Sequence, residues 1–474
     1  MSQTITIDPV TRLEGHGKIT IQLNGQGEVE NAHFHVTQVR GFESFSEGRP
    51  FYEMPSLMAR ICGICPVSHL IASAKACEAI MSVRIPHTAA QLRRLLNLAQ
   101  MVQSHALSFF YLASPDLLLG MESDPRLRNI LGVAAAKPEL GRAGIALRRI
   151  GQSIIELLGD KRVHPGWVVP GGVTEPLSPE KRDKILAMLP EAYSSVGLAL
   201  GAYKQIAGTF QPEIEVFANF PSNYMSLISE EESIDLTDGA LRLIDATGKI
   251  IEDGITASRY TEVIGEAVEN YSYTKFAYYK PLGYPDGSYR VGPLARLNIV
   301  KSMGTPKAEK ELTEFKQLAT GPVSSSFHYH HARLVEMLYG IEKIEEILAD
   351  SRILDKHVRA TAGVNRLEGA GQAEAPRGVL HHHYKVDENG KITWANLVIA
   401  TGQNNNAMNR GVLQAARHYV KDGKFTEGVL NRVEAVVRTF DPCLSCSTHA
   451  FGQMPLEISL LSADGEVVDR VARD

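Results

Sequence analysis

The chain is poor in cysteine and tryptophan, with five of the first and two of the second in 474 residues. So few thiols cannot form the framework of a disulfide-rich secreted scaffold. Neither sign of charge is in large excess. With 49 basic and 54 acidic residues the net charge is −5, which leaves no electrostatic footprint for nucleic acid and no basic patch for a membrane surface. No apolar run reads as long enough to cross a bilayer, so no transmembrane segment is expected. The first residues, Met1-Ser2-Gln3-Thr4-Ile5, resemble neither a signal peptide nor a twin-arginine leader. Cytoplasmic residence is therefore expected, and reducing conditions there turn paired cysteines toward metal binding or redox chemistry.

What is present is an ordinary globular composition, 44% apolar and 22% charged, in a chain too long for one hydrophobic core. Alternating and β-branched residues predict strands over 4–7, 18–23 and 29–36, with Asn24-Gly25 opening a hairpin turn. Residues 52–83 read as helix interrupted at Gly63 and Pro66. Helical spacing recurs over 89–112, 134–158, 179–205, 306–350 and 406–439. Residues 212–300, richer in Tyr, Pro and Gly, read as a mixed lobe. A hairpin is predicted over 380–386 and 392–400. The expected fold class is α+β and helix-dominated: a central bundle of long helices with flanking β-containing lobes. The boundaries are 1–50 (β lobe), 51–210 (helical), 211–300 (mixed), 301–449 (helical with the hairpin) and a separate extension, 450–474.

Four of the five cysteines form two Cys-x-x-Cys pairs near opposite ends of the chain. Cys62 and Cys65 lie in Arg60-Ile61-Cys62-Gly63-Ile64-Cys65-Pro66-Val67-Ser68-His69; Cys443 and Cys446 lie in Asp441-Pro442-Cys443-Leu444-Ser445-Cys446-Ser447-Thr448-His449. Each pair aims two sulfurs at one place, so two pairs can build one four-thiolate site. Three chemistries compete. Structural zinc is the commonest use of such pairs, but zinc ribbons space them about 15–20 residues apart. A redox dithiol needs one pair beside a βαβ unit. A catalytic transition metal held by soft sulfur from two remote segments is the third. Spacing alone leaves zinc and catalytic metal level. Cys77 stands apart and reads as a small buried apolar residue.

The surroundings of the pairs resemble the large subunit of [NiFe]-hydrogenases. The first pair matches that family's Arg-x-Cys-Gly-x-Cys-x-x-x-His signature and the second its Asp-Pro-Cys-x-x-Cys-x-x-His signature. Arg12-Leu13-Glu14-Gly15-His16, Arg40-Gly41-Phe42-Glu43 and Glu374-Ala375-Pro376-Arg377-Gly378 match further family elements in order. Five motifs in register make chance a poor explanation. Pro66-Val67-Ser68-His69 and Leu444-Ser445-Cys446-Ser447-Thr448-His449 are most similar to the cytosolic bidirectional, NAD-linked group.

The resemblance implies a nickel–iron centre, with Cys62 and Cys443 as terminal nickel ligands and Cys65 and Cys446 as bridges to an iron carrying one carbon monoxide and two cyanides. It implies Glu14 as a proton relay at a terminal thiolate, and Arg377 over the open metal face. Asp116 is expected to partner Arg377, and Asp441 is a second candidate. Thr401 is expected to offer its hydroxyl to a cyanide, and His69 to hydrogen-bond a bridging sulfur. A magnesium-like ion is implied at Glu43, His449 and the carbonyl of Leu397. The implied activity is reversible splitting of H2 into protons and electrons. No cysteines remain for iron–sulfur clusters, so electrons are expected to leave through a small iron–sulfur subunit toward NAD+ on diaphorase subunits. Nickel-insertion factors and an endopeptidase cutting after His449 are implied as further partners. Two rivals are the quinone-site subunit of respiratory complex I, which lacks the four cysteines, and a zinc-stabilised, non-catalytic assembly protein. His328, His330, His331 and His381–His383 read as packing or interface residues rather than another metal site.

Overall fold

The first strands pair as their alternation requires. In a computed structural model describing residues 3–421, 425–448, 456–461 and 467–473, β1 (Gln3–Ile7), β2 (Gly17–Leu23) and β3 (Val29–Val36) form an antiparallel sheet. Ile5 sits opposite Ile21 and Ile19 opposite Phe34, which gives the sheet one apolar face for the core. The chain then enters α1 (Pro66–Met81), whose small and aliphatic residues are buried on nearly every side.

Four long helices make the centre: α2 (His87–Ala106), α3 (Pro138–Gly159), α4 (Leu189–Ala207) and α5 (Tyr329–Ala349). Each packs on two of the others, closing a ring. Helix α2 does not stop at Ala106. It runs through a π-helical turn, Leu107–Ala113, into Ser114–Leu119. Prolines cut several expected helices short, because proline lacks the N–H that would bond the preceding turn. The helix expected over 134–158 breaks before Pro138, and that over 179–205 splits into Pro179–Leu186 and α4, with Pro190 in the new first turn. The one over 306–350 splits into Pro306–Lys316 and α5 around Gly321-Pro322. The reading that no apolar run is long enough meets one exception, by composition alone. The helical stretch Pro179–Val216 holds a window of mean hydropathy 1.3 and passes as membrane-crossing by length and composition alone. The apolar side of α4 is spent on α3 and α5.

The mixed lobe is a sheet of β4 (Asn223–Ile228), β5 (Ala240–Ile244) and β6 (Ile250–Ile255), with Tyr289–Arg290 added parallel to β4. It has its own small apolar cluster beside the main core. The late hairpin gains a strand: β7 (Glu368–Ala375), β8 (Gly378–Val386) and β9 (Ile392–Val398) are antiparallel in that order. Strand β7 lies directly on α1, where a Cβ on Gly371 would stand 2.2 Å from the Ala72 carbonyl oxygen. Helices α6 (Asn405–Tyr419) and α7 (Glu427–Phe440) lead to the second cysteine pair. Beyond it, β10 (Leu456–Leu461) and β11 (Val467–Arg473) form a terminal hairpin.

Candidate metal centre

Both cysteine pairs sit at breaks between helices, and at the first pair backbone N–H groups point at sulfur. Cys62 is extended after the turn Ala59–Ile61, and Cys65 precedes α1, whose first residue is Pro66. The N–H groups of Ile64 and Cys65 then face Cys62 Sγ at 3.2 and 3.5 Å. The second pair follows α7, which ends on Asp441 in a left-handed conformation (φ 54°) before Pro442. Aspartate tolerates this conformation better than most residues. Cys443 is extended, and the short helix Leu444–Ser447 raises Cys446 toward it.

The four sulfurs meet. Cys443 and Cys446 are 2.8 Å apart, Cys62 and Cys443 3.2 Å, and Cys65 and Cys446 3.4 Å. All four lie within 4.8 Å of one another and are buried. A disulfide would need about 2.05 Å, so these are free thiols. Hydrogen bonds from Cys443, Cys446 and Cys62 pull the Cys65 thiol well down, with a contribution from His69. Burial pushes Cys443 and Cys446 well up. One thiolate is stabilised by its neighbours, but four together need a cation among them. The soft donor set suits a thiophilic transition metal.

Glu14 touches this cluster twice. Its backbone pairs with Cys443 in a parallel bridge, and its carbonyl accepts the Leu444 N–H at 3.1 Å. Its side chain accepts from Cys443 Sγ at 3.0 Å, from the Ser445 N–H at 3.1 Å and from the Ser445 hydroxyl. Thr401 Oγ1 accepts the Cys443 N–H at 3.0 Å. His69 stands behind Cys65 and meets His382 at 3.1 Å, and His382 meets the Tyr384 hydroxyl at 2.6 Å.

Arg377, 3% exposed, lies close enough to the sulfurs to feel their charge. Its Nε donates to the Asp441 carbonyl at 2.5 Å, its Nη2 to the Asp441 carboxylate at 3.0 Å and its Nη1 to Ser104 at 3.4 Å. Burial opposes its charge, but Asp441 and the sulfurs of Cys443, Cys65 and Cys62 outweigh it. Burial conversely raises the Asp441 carboxyl, against Arg377 and Arg333. The expected pairing of Asp116 with Arg377 is corrected. Asp116 bonds Arg12 at 2.5 Å, Asn431 at 3.0 Å and Arg438 at 3.1 Å. Burial works against its ionisation, yet Arg438 and Arg12 hold its carboxyl low. The reason is position: Ser104 and Ser108 are the helix residues level with Arg377 and Asp441, and Asp116 lies eight residues farther along, beyond the π-helical turn.

Glu43 and Leu397 are neighbours. Glu43 Oε1 accepts the Leu397 N–H at 2.9 Å, and in β9, an edge strand, that residue's carbonyl leaves on the same side. Sequence reasoning missed Lys275, whose ammonium joins Glu43, Glu266 and Asn396, each at 3.2 Å. A lone lysine in the mixed lobe carries no motif that would have found it. Two carboxylates, an amide oxygen and a carbonyl form the hard oxygen set that a magnesium-type ion takes. The N–H groups of Arg40 and Gly41 hold the Thr448 carbonyl at 2.9 and 3.2 Å, which ties this corner to the end of the second motif. His449 and Ala450, the expected ligand and cut, lie outside the described residues.

The profile of the nickel-dependent hydrogenase family matches residues 40–121 and 243–449, and a HoxL-like profile matches residues 4–39. The beta subunit of the NAD-reducing hydrogenase HoxS from Cupriavidus necator is 41% identical over the full length of both chains. The F420-non-reducing hydrogenase vhc of Methanococcus voltae has a subunit 40% identical over 97% of this chain and 98% of its own length. Among solved structures, an NAD+-reducing [NiFe]-hydrogenase in the H2-reduced state superposes with a TM-score of 0.91 at 44% identity, covering 94% of this chain and 99% of that one. A Ni-Fe-Se hydrogenase from D. vulgaris Hildenborough gives 0.76 at 26% identity, over 95% of this chain and 100% of its own. Matched by the family profile over more than half its length, and end to end by a relative of 41% identity, the chain belongs to the nickel-dependent hydrogenase family.

Proposed function

We propose that this chain is the catalytic subunit of a cytosolic NAD-linked [NiFe]-hydrogenase, with Cys62 and Cys443 as terminal and Cys65 and Cys446 as bridging thiolates. The observation that carries it is the meeting of four buried sulfurs beside one carboxylate and one guanidinium. When bound, a nickel–iron centre with carbon monoxide and cyanide ligands supplies the heterolytic cleavage of H2. The rest is done by side chains. Glu14 Oε2, 3.0 Å from Cys443 Sγ, takes the proton from that sulfur, while Ser445 holds the carboxylate in line. Glu14 is partly exposed, so the proton can pass outward. Arg377 presents a fixed fork of donors to the metal face, backed by Asp441. Thr401 accepts the Cys443 N–H and has its own O–H to offer a cyanide, and His69 orients Cys65.

Glu43, the Leu397 carbonyl and His449 would hold a magnesium-like ion, with Glu266 and Lys275 balancing charge around it. Electrons leave through an iron–sulfur partner to NAD+ on diaphorase subunits. The 41% identity to the beta subunit of an NAD-reducing enzyme supports that acceptor. Nickel-insertion factors load the site, and an endopeptidase removes residues 450–474 after His449. Metal analysis with infrared spectroscopy tests the centre. Nickel and iron near one each per chain, with cyanide and carbon monoxide bands, are expected. One zinc and no such bands would defeat the proposal.

A further inference from the structure

Behind the loop that carries Arg377 lies a second arginine, Arg296, on the helix Pro293–Ile299 and fully buried. All five of its N–H donors are used. Nε and Nη2 fork onto Glu336 at 2.6 and 2.7 Å. Nη1 reaches the Glu374 carboxylate at 2.5 Å and the Ala375 carbonyl at 3.2 Å, and Nη2 also takes the Pro376 carbonyl at 3.1 Å. Arg296 thus grips the three consecutive residues that precede Arg377.

The anchor is itself fixed. His105 bonds Glu336 at 2.8 Å. Glu374 accepts the Leu227 N–H at 2.9 Å, and its carbonyl accepts from Asn97 at 3.1 Å and Ser68 at 3.3 Å. Gly292, with φ of 96°, packs so closely on Arg377 that a Cβ there would stand 2.6 Å from the Arg377 carbonyl oxygen. Stability alone does not call for such a knot, since apolar replacement of a buried ion cluster is often neutral or better. What it supplies is a rigid backbone under one guanidinium.

We infer that Arg296, anchored by Glu336, is a positioning residue that fixes Arg377 against the metal face by clamping the Glu374 carboxylate and the backbone carbonyls of Ala375 and Pro376. The inference rests on the hydrogenase reading, in which Arg377 acts at that face. A double-variant cycle in the purified complex tests it, reading kcat, KM for H2, nickel and iron content and the infrared bands of the diatomic ligands. Arg296→Lys should keep both metals, shift the cyanide bands and lower kcat about 10–100-fold, with KM for H2 within about twofold. Added to Arg377→Lys, it should cost no more than about twofold, because it acts through the residue already changed. Wild-type bands and kcat in Arg296→Lys, or effects that multiply in the double variant, would overturn the inference. Should Arg296→Lys fail to fold, Glu336→Gln runs the same cycle with the same two outcomes. A wild-type complex without nickel or diatomic bands is a different failure, that of the hydrogenase reading itself.

Discussion

Glu14 is bound to the second cysteine pair by its backbone and by its side chain, so its carboxylate has little freedom to leave Cys443. Replacing it separates geometry from proton transfer. Glu14→Gln keeps the size and can still bond Ser445, but cannot take a proton. Nickel and iron content should stay at the wild-type level while H2 turnover falls about 100-fold or more. Turnover at the wild-type rate would remove Glu14 from the relay. At this scale the sequence was highly legible, because the four cysteines, Glu14 and Arg377 each sit inside a short motif whose chemistry is explicit. Asp116 was not. Ser114-Pro115-Asp116 reads the same whether the carboxylate faces Arg377 or, as found, Arg12 and Arg438. Only its distance along the helix decides. Ser445 and Lys275 gave no signal, since a serine or lysine gains its role from what folds against it.

Among the elements, β7 is the least expected. Its sequence, Glu368-Gly369-Ala370-Gly371-Gln372-Ala373-Glu374-Ala375, has none of the β-branched or aromatic residues that favour strands. It is a strand because it must lie flat on α1, and bare glycines allow that approach. Gly371→Ala would set a methyl 2.2 Å from the Ala72 carbonyl oxygen, a backbone atom that cannot swing aside. The strand must lift, and α1 carries His69 in its first turns, directly after Cys65. A loss of about 1–3 kcal/mol is expected, seen as a lower melting temperature with less nickel retained per chain. Unchanged melting and metal content would show that β7 is free to move. The long helices were readable from their spacing. Their breaks at Pro138, Pro190 and Pro322 were masked by apolar periodicity that runs on through each proline.

The molecule as a whole buries a charged knot, His105, Glu336, Arg296 and Glu374, whose members titrate with opposite sign. Burial pushes Glu374 up from 4.5 to about 7, so its contribution to stability is complete below about pH 4.5 and lost as pH rises to about 7. Burial lowers His105 from 6.5 to about 4, so its contribution is present above about 6.5 and lost as pH falls toward 4. The two nearly cancel between pH 4.5 and 6.5. Glu336 resists burial through Arg296 and stays ionised down to about 2, outside that window. Glu374→Gln removes one side of the balance. Urea unfolding of the metal-free chain should then show the variant losing about 3 kcal/mol more than the wild type from pH 6.5 to 4.5, because other buried histidines, His35 and His328 among them, lower both alike. A variant that tracks the wild type would refute the assignment of Glu374. None of this was visible in the sequence, which names the loop motif but not the arginine behind it.

Cys62 and Cys443 stand 381 positions apart in the chain, with sulfurs 3.2 Å apart in space. Synthesis at about 5–20 residues per second leaves the first pair waiting roughly 20–75 s for the second. Throughout that interval the growing polypeptide offers two sulfurs, never four, and any ion met early finds half its ligands. The centre can be filled only as the ribosome finishes, which makes delivery of metal a matter of timing as much as of affinity.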